Sequence, residues 1–310
     1  MKFAFVFPGQ GSQSVGMMAP YGDAAPIRDT FAEASAALGL DLWTMVAEGP
    51  ADLLNQTVNT QPAMLAAGVA AYRLWQARGG PAPALMAGHS LGEYTALVCA
   101  GALAFADAVK LVRLRAEAMQ SAVPEGVGAM AAVLGLDDAA VRAVCAEAAQ
   151  GEVLEAVNFN SPGQVVVAGH KAAVERGCAL AKEKGAKRAV PLPVSVPSHC
   201  ALMQPAAEKL LAALNLIEVK SPAVPVLHNA DVATHADPSA IRDALARQLY
   251  SPVRWVETIQ AMASEGIQLV VECGPGKVLA GLNKRIVDGM SGVALADEVA
   301  LADTLAKVNS

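Results

Sequence analysis

Cysteine is sparse in this 310-residue chain: five residues, Cys99, Cys145, Cys178, Cys200 and Cys273, scattered, odd in number and without a C-x-x-C pair. That spacing argues against a disulfide framework or a cysteine-ligated metal and fits a reducing cytoplasm. Basic charge is in deficit, 23 Lys and Arg against 29 Asp and Glu for a net charge of -6, so non-specific nucleic-acid binding is not expected. Long apolar runs are missing as well. Although hydrophobic residues make up 54% of the chain, charges or polar groups interrupt every run before membrane-spanning length, and the richest, 96–106, is too short. The apolar start MKFAFVF stops at Pro8 and reads as a first strand, not a signal peptide. With only 17% charged residues disorder is not expected, and a sizeable core can form in one large domain or two unequal ones. There is no internal repeat and no low-complexity segment; only the last few residues look loose.

What is present centres on residues 84–103, ALMAGHSLGEYTALVCAGAL. A short apolar run turns sharply through Gly88-His89-Ser90-Leu91-Gly92 and continues as a small-residue helix. Strand, G-x-S-x-G, helix is the context of a nucleophile elbow. Side chains at Gly88 and Gly92 would clash where the strand folds back into the helix. Ser90 would stand exposed on the turn, and the Leu91 N–H would lie at a helix N-terminus, where the dipole favours developing negative charge. Upstream, residues 2–7 form a buried strand followed by Pro8-Gly9-Gln10-Gly11-Ser12-Gln13. No G-K-[ST] follows, which excludes a P-loop, and Ser14 replaces the third glycine of a dinucleotide fingerprint. The loop is either an ordinary βα turn or one that aims a backbone N–H at a neighbouring site.

Residues 23–75 read as helices. Gln61-Pro62 opens one of them, with Pro62 in its first turn and Gln61 capping it or facing a site. Residues 105–120 form an amphipathic helix whose Arg113 and Arg115 lie on different faces; one turned toward a cleft would clamp an anion. From Gly126 the order becomes strand 129–136, helix to 150, strand 152–159, a turn at Asn160-Ser161-Pro162-Gly163, strand 164–168, helix 171–184 and strand 188–194. That β-α-β-β-α-β order is the signature of a ferredoxin-like small domain, placed at 126–196. The chain then returns to the first pattern, with helix 202–214, strand 225–228, helix 240–249, strand 267–273 and a last helix through Ile286. The large domain, 1–125 and 197–310, thus carries about four parallel strands covered by helices on both faces. A cleft between the two domains is the expected ligand site.

A serine nucleophile needs a base. His89 adjoins Ser90 and reaches its hydroxyl poorly, His170 belongs to the small domain and His235 to a polar loop. His199 and His228 both remain candidates. No carboxylate is found on a loop after a strand, as a triad would require; Asp107, Asp137 and Asp138 read as helix-start or helix-surface residues.

Four ordered motifs, PGQGSQ at 8–13, GHSLGEYTAL at 88–97, VPSHCALM at 196–203 and ECGPGKVL at 272–279, together with NFNSPGQVVVAGH at 158–170 and RQLYSPVRW at 247–255, resemble the malonyl-CoA:acyl-carrier-protein transacylase family of bacterial type II fatty-acid synthesis. Nearly the whole chain is covered. Ala116 departs from the pattern, since many members have glycine there. The resemblance implies an α/β-hydrolase-like core with a ferredoxin-like insertion. It implies Ser90 as nucleophile, His199 as base, Gln10 and Leu91 as oxyanion N–H donors, and Arg115 as clamp for the malonyl carboxylate. Gln61 and Asn160 join the substrate-binding set. The Gln248 backbone carbonyl would orient the histidine, in place of a triad acid. The implied reaction is ping-pong transfer from malonyl-CoA to the phosphopantetheine thiol of acyl carrier protein, in the cytoplasm. No metal or other cofactor, nucleic acid or membrane is involved, and a monomer is expected. The rival readings are a serine thioesterase or esterase with the same elbow and a non-catalytic docking module. For an acidic carrier protein, basic clusters at Lys182, Lys184, Lys187 and Arg188, or at Lys284 and Arg285, are the candidate docking points.

Overall fold

The computed structural model describes residues 1–194 and 196–309. Its strands are β1 (Phe3–Phe7), β2 (Leu85–Gly88), β3 (Gly128–Leu134), β4 (Leu154–Ser161), β5 (Gln164–His170), β6 (Arg188–Pro191), β7 (Val226–Leu227), β8 (Leu269–Glu272) and β9 (Ser291–Ala294). They form a mixed α/β structure with two separate sheets. One is five-stranded and parallel, in the order β7-β2-β1-β8-β9; the other is four-stranded and antiparallel, in the order β4-β5-β3-β6.

The central strand β1 is apolar at every position because helices cover both of its faces. Phe3, Phe5 and Phe7 point to one side, where Phe5 meets Trp75 edge-on at 5.2 Å between ring centroids. Ala4 and Val6 point to the other, against Trp255, Ile259 and Met262 of the helix Trp255–Ser264. The antiparallel sheet divides its faces by the same two-residue period. Ala131, Val133, Val165 and Val167 pack on the helices Asp138–Ala149 and Lys171–Glu183. Met130, Val157, Val166 and Ala168 face the opposite way, toward Cys200.

Several elements depart from the sequence expectation. The parallel sheet has a fifth strand, β9, at its edge, and the expected last helix ends at Asn283. The tail expected to be loose forms the helix Glu298–Asn309, pinned by buried Leu301, Thr304 and Val308. The helix expected to open at Gln61-Pro62 begins at Thr57 and runs to Ala77, with Pro62 inside it. Its early turns are secured by side chains: Asn59 Nδ2 donates to the Leu53 carbonyl at 2.9 Å and Thr60 Oγ1 to the Leu54 carbonyl at 2.6 Å. Strand β4 extends through Ser161, so Asn160 lies on a strand and not in the turn. The register shifts between Phe159 and Ser161, and Asn160 is the unpaired residue of that bulge. Bulges of this kind re-aim a side chain beside a site.

Candidate active site

The elbow is built as its glycines require. A Cβ on Gly88 would stand 1.8 Å from the Gly92 carbonyl carbon, and one on Gly92 would stand 2.0 Å from the Phe7 carbonyl oxygen. With both absent, β2 folds directly into the helix Gly92–Cys99. Ser90 is held in the left-handed region at φ 51°, a conformation that costs free energy and persists only under surrounding restraint. Asn229 restrains it. Its Oδ1 accepts from the Ser90 N–H at 2.7 Å, while its Nδ2 donates to the Gly88 carbonyl at 2.7 Å.

Ser90 Oγ lies 2.7 Å from His199 Nε2. His199 Nδ1 lies 2.7 Å from the Gln248 backbone carbonyl, which can only accept, so Nδ1 carries the proton and Nε2 is bare toward the serine. The imidazole is 2% exposed. Burial, reinforced by the Arg115 charge, pushes its pKa from 6.5 down to about 3, despite the opposing bond to Gln248. At neutral pH it is therefore an unprotonated acceptor. His228, the other candidate base, is fully buried and points elsewhere: its Nδ1 meets Glu93 Oε1 at 2.7 Å.

Arg115 and Arg113 separate as their helix faces require. Arg113 sits on the surface, with Nε 3.1 Å from Glu117 Oε1. Arg115 is 1% exposed, and its guanidinium enters the same cavity as Ser90. Nη1 donates to Gln61 Oε1 at 2.8 Å, and Nη2 to Gln248 Oε1 at 3.1 Å and to Ser90 Oγ at 3.4 Å. Its Cζ stands 5.3 Å from the Tyr94 ring centroid. Among the described residues, buried Nε has no hydrogen-bond partner and no carboxylate pairs with this cation. Gln61 therefore faces the site from inside its helix and does not cap it.

The remaining expected residues line the same cavity. Gln10 and Leu91 flank Ser90, and among the described residues neither backbone N–H has an acceptor. The β1 loop lies hard against the elbow: a Cβ on Gly9 would come within 2.5 Å of the His89 carbonyl oxygen. Asn160, aimed by its bulge, places Oδ1 2.8 Å from His89 Nε2; burial lowers the His89 pKa and that bond opposes the shift. Met130 and Val166 of the antiparallel sheet, with Leu192 just beyond β6, supply an apolar wall.

Two residues of the site were absent from the sequence expectation. Asn229 follows β7 and Glu93 opens the elbow helix, both fully buried. Asn229 had a legible signal, since polar residues at the carboxyl ends of parallel strands gather at ligand sites. Among the described residues no group of His, Cys, Asp and Glu is gathered to hold a metal ion, and no helix is long and apolar enough to cross a membrane.

A serine on a glycine-flanked elbow, paired with a neutral imidazole beside a buried cation, defines a site for acyl transfer, and the chain belongs to the acyl transferase domain family, which matches residues 4–305. Within that family it is 61% identical over 305 residues to the malonyl CoA-acyl carrier protein transacylase of Escherichia coli K12, across 98% of this chain and 99% of the relative. The acyl-carrier-protein S-malonyltransferase of Burkholderia pseudomallei 1710b superposes with a TM-score of 0.97 at 60% identity, covering 99% of this chain and all of that one. A malonyl-transacylase solved in complex with its type II PKS acyl-carrier protein superposes at 0.98 with 55% identity, covering 99% and 100%.

Proposed function

We infer that this chain is an acyl-carrier-protein S-malonyltransferase, moving malonyl from malonyl-CoA to the phosphopantetheine thiol of acyl carrier protein through an ester on Ser90. The names of its relatives point there, and so does the solved complex of one relative with its carrier protein. The observation that carries the reading is the Arg115 guanidinium: buried, lacking a carboxylate partner among the described residues, and 3.4 Å from Ser90 Oγ. A dry cation beside a nucleophile selects an acyl group that brings its own carboxylate, and the planar fork meets it with two parallel bonds.

In this mechanism His199 Nε2 takes the Ser90 proton as Oγ attacks the thioester carbonyl. The Gln10 and Leu91 N–H groups receive the oxyanion, the latter at the start of the elbow helix. Collapse expels the coenzyme A thiolate, which takes the proton from His199, and leaves malonyl on Ser90. The carrier thiol then gives its proton to His199 and attacks the ester, and Ser90 leaves with the proton restored. The Gln248 carbonyl keeps His199 in the required tautomer, and Gln61 and Asn160 line the acyl pocket. Each step uses only the chain's own groups, the thioester donor and the thiol acceptor, so no metal or redox cofactor enters.

The proposed division is an α/β-hydrolase-like core, 1–125 and 197–310, with a ferredoxin-like domain at 126–196. The strand order β4-β5-β3-β6 with two helices on one face supports the insertion. The scattered free thiols suit a reducing cytoplasm, and a monomer completes the reading. Intact-mass measurement after adding malonyl-CoA should show one malonyl adduct on Ser90, discharged by carrier thiol faster than by water. An adduct persisting in Ser90→Ala, or discharge to water alone, would reject the assignment.

A further inference from the structure

Behind the reacting atoms lies a buried carboxylate that the mechanism above does not use. Glu93 is fully buried, and three donors converge on it. His228 Nδ1 meets Oε1 at 2.7 Å, while the Asn229 backbone N–H and Gln248 Nε2 each meet Oε2 at 2.9 Å. A buried charge is retained only where its bonds are satisfied, and here two of the donors belong to residues that hold the site. Asn229 fixes the backbone on both sides of His89, through the Ser90 N–H and the Gly88 carbonyl. Gln248 touches three functional groups at once. Its backbone carbonyl faces His199 Nδ1, its Nε2 also donates to the Ser90 carbonyl at 2.8 Å, and its Oε1 accepts from Arg115 Nη2 at 3.1 Å.

The two ends of a glutamine amide differ chemically, and their neighbours decide the orientation. Glu93 and the Ser90 carbonyl offer only acceptors to one end, so the NH₂ must point there. The oxygen is thereby committed to the Arg115 guanidinium. The arrangement places a negative charge one amide away from Arg115 without letting it touch the cation. A direct Glu–Arg pair would occupy the fork that an incoming carboxylate needs; a neutral amide relay holds the guanidinium in place and leaves the rest of the fork open.

We propose that Glu93 is a positioning residue for acyl selectivity: through the Gln248 amide it sets the Arg115 guanidinium, and through Asn229 it braces the Ser90 turn. The inference rests on the reading of Arg115 as the site that receives the malonyl carboxylate. It gives the pair of buried residues, Glu93 and His228, a task distinct from a second catalytic dyad, because His228 meets the carboxylate and not the serine.

The test measures kcat/KM for malonyl-CoA and acetyl-CoA in Glu93→Met, Arg115→Ala and the double variant. Glu93→Met should lower the malonyl-to-acetyl ratio by roughly tenfold or more, the scale of one charge-assisted bond, and should lower it no further when Arg115 is already alanine. A packing role alone would depress both substrates alike and leave the ratio unchanged, which would overturn the proposal. If Glu93→Met does not fold, Gln248→Met cuts the same relay while keeping the backbone carbonyl for His199, and the same fall in ratio is required; an unchanged ratio there overturns the proposal equally. The variants also distinguish the clamp from its positioning residue. A ratio that survives Arg115→Ala rejects the clamp itself, whereas one that collapses in Arg115→Ala but not in Glu93→Met rejects only the role of Glu93.

Discussion

Replacing Arg115 by alanine tests the proposal that its buried guanidinium receives the malonyl carboxylate. The guanidinium donates to Gln61 Oε1, Gln248 Oε1 and Ser90 Oγ, with Nε unpartnered among the described residues. A malonyl carboxylate entering this cavity sheds water and needs a charged partner in return. A charge-assisted bond contributes about 1.5–3 kcal/mol net. Stranding a buried charge by deleting its partner costs about 3–5 kcal/mol. At about 1.4 kcal/mol per tenfold, malonyl transfer should fall roughly 10²- to 10³-fold or more. Acetyl carries no such charge, so its transfer should hold or rise. Arg115→Lys keeps the charge but not the planar fork and should recover only part of the malonyl rate. Arg113→Ala, at the surface, should change neither substrate. The assay is the ratio of kcat/KM for malonyl-CoA and acetyl-CoA, with melting temperature recorded, since Gln61 and Gln248 lose a partner too. Equal loss for both substrates would mean that Arg115 supports the fold or coenzyme binding and does not select the acyl group.

Two further outcomes follow from the geometry. His199→Ala should slow single-turnover malonylation by at least roughly 10²-fold, the usual scale for loss of a general base, while His228→Ala, which removes a partner of Glu93 and no contact to Ser90, should retain most of the chemistry; the reverse order would exchange their roles. The two basic clusters approach one another, because Arg285 Nη2 donates to Gln164 Oε1 at 2.8 Å and Gln164 pairs through Leu134 with Arg188. Charge reversal at Arg188 and Arg285 should therefore raise KM for the acidic carrier protein and leave acylation by malonyl-CoA unchanged, and an unaltered KM would place docking elsewhere.

The parts legible in the sequence are those where one residue type satisfies one local requirement. Gly88 and Gly92 are demanded by backbone contacts of 1.8 and 2.0 Å, so their spacing announces the elbow without knowledge of the rest of the chain. The unbroken apolar run of β1 reports burial on both faces. Other features depend on tertiary placement. Arg113 and Arg115 look alike until the helix Phe105–Ala122 is packed, whereupon one lies at the surface and the other is 1% exposed. The start of the Gln61 helix is the part that differs: Pro62 reads as a helix start, whereas the helix begins at Thr57 and side-chain bonds from Asn59 and Thr60 secure its early turns. Strand β9 has four residues, one of them glycine, and derives its pairing from β8. Glu93 is hidden for the opposite reason: a glutamate in a first helical turn already suits the dipole, and nothing local says that it is buried.

The buried cation also acts on His199. Burial is the main cause of the low His199 pKa, and the Arg115 charge is the next. A malonyl carboxylate on Arg115 offsets part of that second contribution, so His199 should become a stronger base when this substrate is bound, and an acetyl group offers no such compensation. The dependence of kcat/KM on pH reports the free enzyme and that of the saturated rate reports the complex. For single-turnover acylation by malonyl-CoA, the acid limb of the saturated rate should therefore lie at higher pH than the limb of kcat/KM. With acetyl-CoA the two limbs should coincide. In the free enzyme the limb belongs near pH 3 and not near 6.5, so kcat/KM should stay flat where an ordinary histidine would already be protonated. Arg115→Ala should raise that limb, because deleting a nearby cation favours the imidazolium. A limb at 6.5 in the wild-type free enzyme would refute the dry, cation-flanked imidazole. Coincident limbs with malonyl-CoA, alongside a low limb in the free enzyme, would show that the carboxylate does not reach Arg115 before the proton moves.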